Sequence, residues 1–88
     1  MNWTCEFSTD AGDDLRPLSK AVQRGVARVL AQMETNPFQA DVKPLEEEEW
    51  KGVYRRRMGG YRLLFTADHS AGIVFIVRIL IQSGKTYQ

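Results

Sequence analysis

The stretch that decides the fold is YRRRMGGYRLLFTA, residues 54–67. Two strand-like runs, Val53 to Met58 and Tyr61 to Ala67, flank Gly59-Gly60, a pair free to take the positive φ angles of a tight hairpin turn. Asp68-His69-Ser70-Ala71-Gly72 has the composition of a second turn. Ile73 to Ile81 is an apolar run long enough for a central strand. The C-terminal half therefore predicts a meander of three antiparallel strands. His69, the only histidine, falls at a turn tip, a poor place for a catalytic base.

Working outward, Trp3, Cys5 and Phe7 alternate with Thr4, Glu6 and Ser8, the period of a half-buried strand. Ser8, Thr9 and Asp10 offer helix N-caps, with Asp13 and Asp14 expected in the first turn, where the helix dipole favours negative charge. This short helix ends near Pro17. From Ser19 to about Glu34, Val22, Val26, Val29, Leu30 and Met33 recur at three- and four-residue spacing, the stripe of a helix packed on a sheet. Asn36-Pro37 stops that helix, and a loop runs through Lys43-Pro44-Leu45. The order predicts an α+β fold: an antiparallel sheet of about four strands with two N-terminal helices packed on one face. Residues 1–88 form a single domain, with no repeat or linker.

Composition narrows the function classes. With 43% apolar and 26% charged residues, the chain is neither disordered nor membrane-spanning. No apolar run approaches the roughly 20 residues of a membrane span, and the N-terminus has no apolar signal region. Cys5 is the single cysteine and reads as a buried thiol in a reducing compartment, so a cytoplasmic protein is expected. No metal and no cofactor are expected. The net charge of +1 conceals an asymmetry: Met1 to Trp50 carries five basic and ten acidic residues, Lys51 to Gln88 seven basic and one acidic. A cationic C-terminal half calls for an anionic partner, nucleic acid or an acidic protein segment.

The chemistry concentrates on the hairpin. Side chains alternate along a strand, so Arg55 and Arg57 share one face while Tyr54, Arg56 and Met58 take the other. Across the turn Arg62 joins the first pair, gathering three permanent charges able to grip a phosphate bidentately. The competing reading is a strand edge charged against aggregation. Arg56 falls on the face expected to be buried, and Arg78 interrupts the last apolar run as either a site-facing charge or an edge residue. Lys20, Arg24 and Arg28 follow at four-residue steps along the second helix, lining a nucleic-acid groove or a solvated face. The acidic run Glu46 to Glu49 is either a mobile arm shielding the basic hairpin or solvated surface.

These residues resemble a family. Tyr54-Arg55-Arg56-Arg57-Met58-Gly59-Gly60-Tyr61-Arg62, followed by Leu63-Leu64-Phe65, is similar to the hairpin of RelE/ParE toxins. Asn36-Pro37-Phe38, Val42-Lys43-Pro44-Leu45 and Tyr87 fall in that family's order. The resemblance implies the toxin of a bacterial type II toxin-antitoxin pair, neutralised by a cognate antitoxin that wraps it, with operator DNA reached only through the antitoxin complex. RelE-like members cut messenger RNA on the ribosome, inhibiting translation as ribosome-dependent endoribonucleases. The ribose 2′-hydroxyl attacks the adjacent phosphate while basic side chains stabilise the developing charge.

Carried over by position, Arg55, Arg57, Arg62 and Tyr87 are the catalytic candidates; Arg24, Arg28, Lys51, Arg56, Arg78 and Lys85 are candidate RNA contacts. Where many RelE-like members carry further basic residues before the tyrosine, this chain reads Ile81-Gln82-Ser83-Gly84-Lys85-Thr86. Arginine cannot act as a general base, since its pKa exceeds about 12, which leaves proton transfer to Tyr87 or Lys85. The same resemblance leaves open a ParE-like, non-enzymatic toxin that poisons DNA gyrase, and an inactive relative that only binds antitoxin.

Overall fold

The computed structural model describes residues 2–81. Its elements are β1 (Thr4–Phe7), α1 (Thr9–Leu15), α2 (Lys20–Thr35), β2 (Val42–Pro44), a 3₁₀ turn (Glu48–Trp50), β3 (Tyr54–Met58), β4 (Tyr61–Asp68) and β5 (Ile73–Ile81). Ser8 caps α1, its hydroxyl oxygen accepting from the Ala11 amide at 3.0 Å, and Ser19 caps α2 by accepting from Val22 at 3.2 Å. Asn36 closes α2, and its Oδ1 then accepts from the Phe38 amide at 3.0 Å, turning the chain at the buried Pro37.

The expected α+β class holds, with two corrections to the sheet. It has five strands in the order β1-β5-β4-β3-β2, and β1 pairs parallel to β5, so the sheet is mixed rather than purely antiparallel. Parallel partners need a long crossover, and here both helices and strands β2, β3 and β4 separate them in sequence. The segment expected as a loop, Val42-Lys43-Pro44, pairs with Arg56, Arg55 and Tyr54 as the outer strand. Proline has no amide to give a ladder, so three residues ending in Pro44 are tolerable only at an edge.

Ala11, Val26, Val29 and Met33 of the helices pack on Leu63, Phe65, Val74, Ile76 and Ile79 to form the core, all on one side of the sheet. Phe38 extends it, meeting Trp3, Tyr54, Phe65 and His69 with ring centroids 5.1–6.5 Å apart. His69 stacks on Phe38 with an interplanar angle of 6°, so the turn-tip histidine is part of an aromatic cluster. Cys5, expected to be buried, is only partly so; its thiol faces the Leu30 carbonyl oxygen at 3.8 Å, and burial, then the Glu34 charge, pushes its pKa up.

The β3–β4 turn is the two-residue hairpin the sequence predicts, closed by the Met58–Tyr61 pair. Only Gly59 takes a positive φ, 58°, the pattern of a turn with glycine required at its first central position.

Candidate functional site

Cross-strand register assembles the site on the sheet face opposite the helices. Arg57 lies directly across from Arg62, and Arg62 from Leu80, giving one row; Lys43, Arg55, Leu64 and Arg78 form the next. Directly opposed side chains stand about 4.5–5.5 Å apart at Cβ, so Arg55, Arg57 and Arg62 share one small patch. The hairpin alternation thus brings together the three arginines singled out from the sequence.

Arg78 reaches the same face through an irregularity. Leu64 pairs with Arg78 but Phe65 with Ile76, leaving Val77 as an extra residue in β5. Such a bulge inverts the alternation. Ile76 and Ile79 both reach the core, and Arg78 turns to the helix-free side.

Two aspartates flank this basic face. On the β5 side, Asp14 accepts from Arg78 Nε at 2.8 Å and Nη2 at 3.1 Å, and its Oδ2 also accepts from the Ile79 amide at 2.9 Å. Strand β1 covers only Ile73 to Ile76 of β5, so Asp14 and Ser8, whose hydroxyl donates to the Val77 carbonyl at 2.7 Å, satisfy the edge beyond it. The hydrogen bond from Arg78, with further help from the Ile79 amide, holds the Asp14 carboxyl below its ordinary pKa against the opposing effect of desolvation. The expectation that Asp13 and Asp14 sit in the first turn is corrected: with Ser8 as cap, Asp10 occupies that turn and Asp14 lies in the last. There the dipole disfavours a carboxylate, and Arg78 and the Ile79 amide supply the compensation.

On the opposite side, Asp41 stands 3.3 Å from Arg55 Nη1 and 3.9 Å from Arg57 Nη1. Its backbone carbonyl accepts from the Arg57 amide at 3.2 Å, extending β2 pairing by one position. Ala40, immediately before it, has a φ of 72°, a left-handed conformation uncommon outside glycine. The Arg55 side chain is only 12% exposed, whereas those of Arg57 and Asp41 are each 50% exposed.

The remaining candidates lie elsewhere. Arg56 is 7% exposed and faces the helices, its Nη2 donating to Gln32 Oε1 at 2.7 Å, so it is not one of the group on the open face. Among the described residues its Nη1 has no hydrogen-bond partner. Arg24 and Arg28 are exposed on α2, the helix packed on the other side of the sheet, and Lys51 is exposed beyond the 3₁₀ turn. Glu48 and Glu49 belong to that turn, and no ion pair links the acidic run to the hairpin among the described residues. Tyr87 and Lys85 lie outside the described residues.

Sequence reasoning missed both aspartates as parts of this face. For Asp14 a signal existed: it follows Ala11 by three residues, so the two share a helix face, and Ala11 is fully buried. For Asp41 none did, because its position depends on a three-residue strand that proline disguises.

Among the described residues no group of three His, Cys, Asp or Glu residues is placed to hold a metal ion, and no helix is long and apolar enough to cross a membrane. The arrangement gathers guanidinium groups on one face of the sheet, chemistry suited to an anion.

Comparison with known proteins agrees with this fold. A chain of the RelBE2 toxin-antitoxin complex from Mycobacterium tuberculosis superposes with a TM-score of 0.83 at 29% identity, over 92% of this chain and 99% of that one. For the archaeal RelE-RelB complex from Pyrococcus horikoshii the values are 0.81 and 22%, over 96% and 99%. A YoeB/ParE toxin from Agrobacterium tumefaciens gives 0.77 at 13%, over 91% and 99%. No curated protein sequence matches. The family model described as the ParE toxin of the type II toxin-antitoxin system parDE matches residues 5–85. That match covers nearly the whole chain, including the hairpin and both flanking aspartates, and the protein therefore belongs to the ParE toxin family of type II toxin-antitoxin systems.

Proposed function

We propose that this toxin is a ribosome-dependent endoribonuclease that cleaves messenger RNA and so inhibits translation. The observation that carries the reading is the Arg57–Arg62 cross-strand pair with Arg55 beside it, on the sheet face opposite the core that α2 packs against. When a ribose 2′-hydroxyl attacks the neighbouring phosphate, negative charge grows on the non-bridging oxygens. Fixed guanidinium groups aimed at those oxygens stabilise the transition state more than the ground state. Arg55, Arg57 and Arg62 take that role, and proton transfer falls to Tyr87 or Lys85, since guanidinium groups stay protonated. Arg78, held by Asp14, and the exposed Lys51, Arg24 and Arg28 are weaker candidates for contacts to the RNA backbone, as is Lys85.

The partner in the resting cell is a cognate antitoxin. Solved complexes of relatives pair RelE with RelB, and a cationic face of this kind suits an acidic segment, whose attraction speeds association. Contact with operator DNA then runs through the antitoxin complex. Coexpression with the product of the neighbouring gene should yield a complex that survives moderate salt.

A second reading, poisoning of DNA gyrase without catalysis, is favoured by the match to the ParE model and by Asp41, which already neutralises part of the Arg55–Arg57 charge. One experiment separates the two: purified toxin is added to an in-vitro translation reaction with mapping of messenger RNA ends, beside a gyrase supercoiling assay. Ribosome-dependent cleavage is expected. Intact messenger RNA together with inhibited supercoiling would transfer the assignment to gyrase, and inactivity in both would leave an antitoxin-binding relative.

A further inference from the structure

Three arginines crowded on one strand pair repel one another unless an anion lies among them, and the fold supplies one of its own. Among the described residues Asp41 is the carboxylate that pairs with Arg55 and Arg57, one oxygen toward each guanidinium at 3.3 and 3.9 Å. A phosphate bridging the two arginines would place two of its oxygens in the same positions.

The contact is built to hold the residue and release the carboxylate. The bond from the Arg57 amide to the Asp41 carbonyl, 3.2 Å, fixes the backbone beside β3, and the left-handed Ala40 sets the direction from which the side chain arrives. The carboxylate itself is half exposed, at ion-pair distances longer than a well-formed charge-assisted hydrogen bond of about 2.7–2.9 Å. Water competes for such a pair, which is worth little, whereas a phosphate presents more oxygens and accepts bidentately from planar guanidinium groups.

We propose that Asp41 is an intramolecular competitor for phosphate at Arg55 and Arg57, setting how tightly the helix-free face holds an RNA backbone while taking no part in bond cleavage. The identity of the ligand as RNA rests on the ribonuclease reading; the competition itself does not. Asp41 lowers the affinity of the free toxin for polyanions in general, so that weakly held nucleic acid does not occupy the face, and a phosphate presented in the right geometry displaces it.

The test uses the full chain and its Asp41→Asn variant, with the arginine Nε–Hε resonances followed by NMR during titration with inorganic phosphate at low salt. Loss of the competing charge shared by the 12% exposed Arg55 and the half-exposed Arg57 should tighten phosphate binding about three- to tenfold. The changing resonances should be those of Arg55 and Arg57. The gain should shrink as salt rises and vanish in an Arg55→Gln background, while an unchanged urea midpoint shows that Asp41→Asn folds. Equal or weaker phosphate binding by folded Asp41→Asn overturns the inference, and so does the absence of binding by both proteins. The same comparison with a short single-stranded RNA should give a similar gain; tightening toward phosphate alone would overturn the assignment to an RNA backbone. Absence of messenger RNA cleavage in the translation reaction, with the gain intact, counts against the ribonuclease reading and leaves the competition standing.

Discussion

The two sides of the basic face use the same pair of residue types in opposite ways. On the β5 side, Asp14 is 18% exposed, holds Arg78 through two hydrogen bonds and binds a strand amide with the same carboxylate. On the β2 side, Asp41 is 50% exposed and approaches Arg55 and Arg57 at 3.3 and 3.9 Å. The first carboxylate is stitched into the sheet and cannot leave without stranding a backbone donor. The second carboxylate touches side chains alone, the half-exposed Arg57 and the 12% exposed Arg55. Ion pairs of the second kind typically contribute about 0.2–1 kcal/mol, too little to hold a fold together and little enough for a ligand to displace. An arginine is therefore committed to structure or available for binding according to whether its partner also carries backbone.

If that distinction is right, the largest effect belongs to the arginines between the two aspartates, and it is an effect on activity. Arg57→Ala with Arg62→Ala should lower messenger RNA cleavage by about a hundredfold or more, the size expected when a donor stabilising transition-state charge is lost, roughly 2.7–4 kcal/mol. Arg57 is half exposed, and its replacement should change stability by no more than about 0.5 kcal/mol, so a folded Arg57→Ala protein serves as the first reference. Cleavage rates and urea denaturation on the same preparations check both halves. Unaltered cleavage by the folded double variant would show that the shared face is not the working surface.

Next in size is the fold itself at Asp14. Asp14→Ala leaves the Ile79 amide without its acceptor, and an unsatisfied buried donor costs about 1–3 kcal/mol. Asp14→Asn keeps an oxygen for that amide and should cost less, which distinguishes the backbone bond from the ion pair. The acid limb of stability follows the same residue. Arg78 holds the folded Asp14 carboxyl below its ordinary pKa of 3.8, so the stabilisation is complete above that value and is lost as pH falls through the lower, folded pKa. The urea midpoint of the natural protein should therefore drop on acidification below the ordinary carboxylate range, and less steeply in Asp14→Asn. Identical pH profiles would mean that Asp14 behaves as loosely as Asp41.

What the sequence made legible, and what it hid, follows the same division between local and long-range causes. The hairpin and the shared face of Arg55, Arg57 and Arg62 were readable because a two-residue glycine turn fixes register and strand alternation does the rest. Arg78 was not assignable to a face because an extra residue at Val77 inverts the alternation, and no residue type announces a bulge. The parallel β1–β5 pairing was missed because it joins segments some 70 residues apart, Thr4 to Ile73, with nothing local to mark it. Asp14 was misplaced because three consecutive candidates, Ser8, Thr9 and Asp10, could each start α1, and choosing the first moves every later residue relative to the helix end. Tyr87 and Lys85 lie outside the described residues, so the acid-base half of the site rests on resemblance alone.

The smallest expected effect sharpens the comparison at its weak side. Ala40 is the one non-glycine residue with a positive φ among the described residues, and it delivers the chain into Asp41. A left-handed conformation costs an L-residue roughly 1–2 kcal/mol through the approach of Cβ to the following carbonyl, a cost that glycine lacks. Glycine also widens the unfolded ensemble, offsetting roughly 0.5–1 kcal/mol of that relief. Ala40→Gly should thus stabilise the protein by about 0.5 kcal/mol, seen as a small rise in urea midpoint at unchanged slope. The rise should be the same in an Asp41→Asn background, because the strain lies in the backbone and the Asp41 carboxylate is held only by side chains. A loss of stability in Ala40→Gly would mean that the Ala40 methyl is packed and the loop rigid. A gain that depends on Asp41 would mean that the carboxylate is coupled to the backbone after all, making the two sides of the face alike.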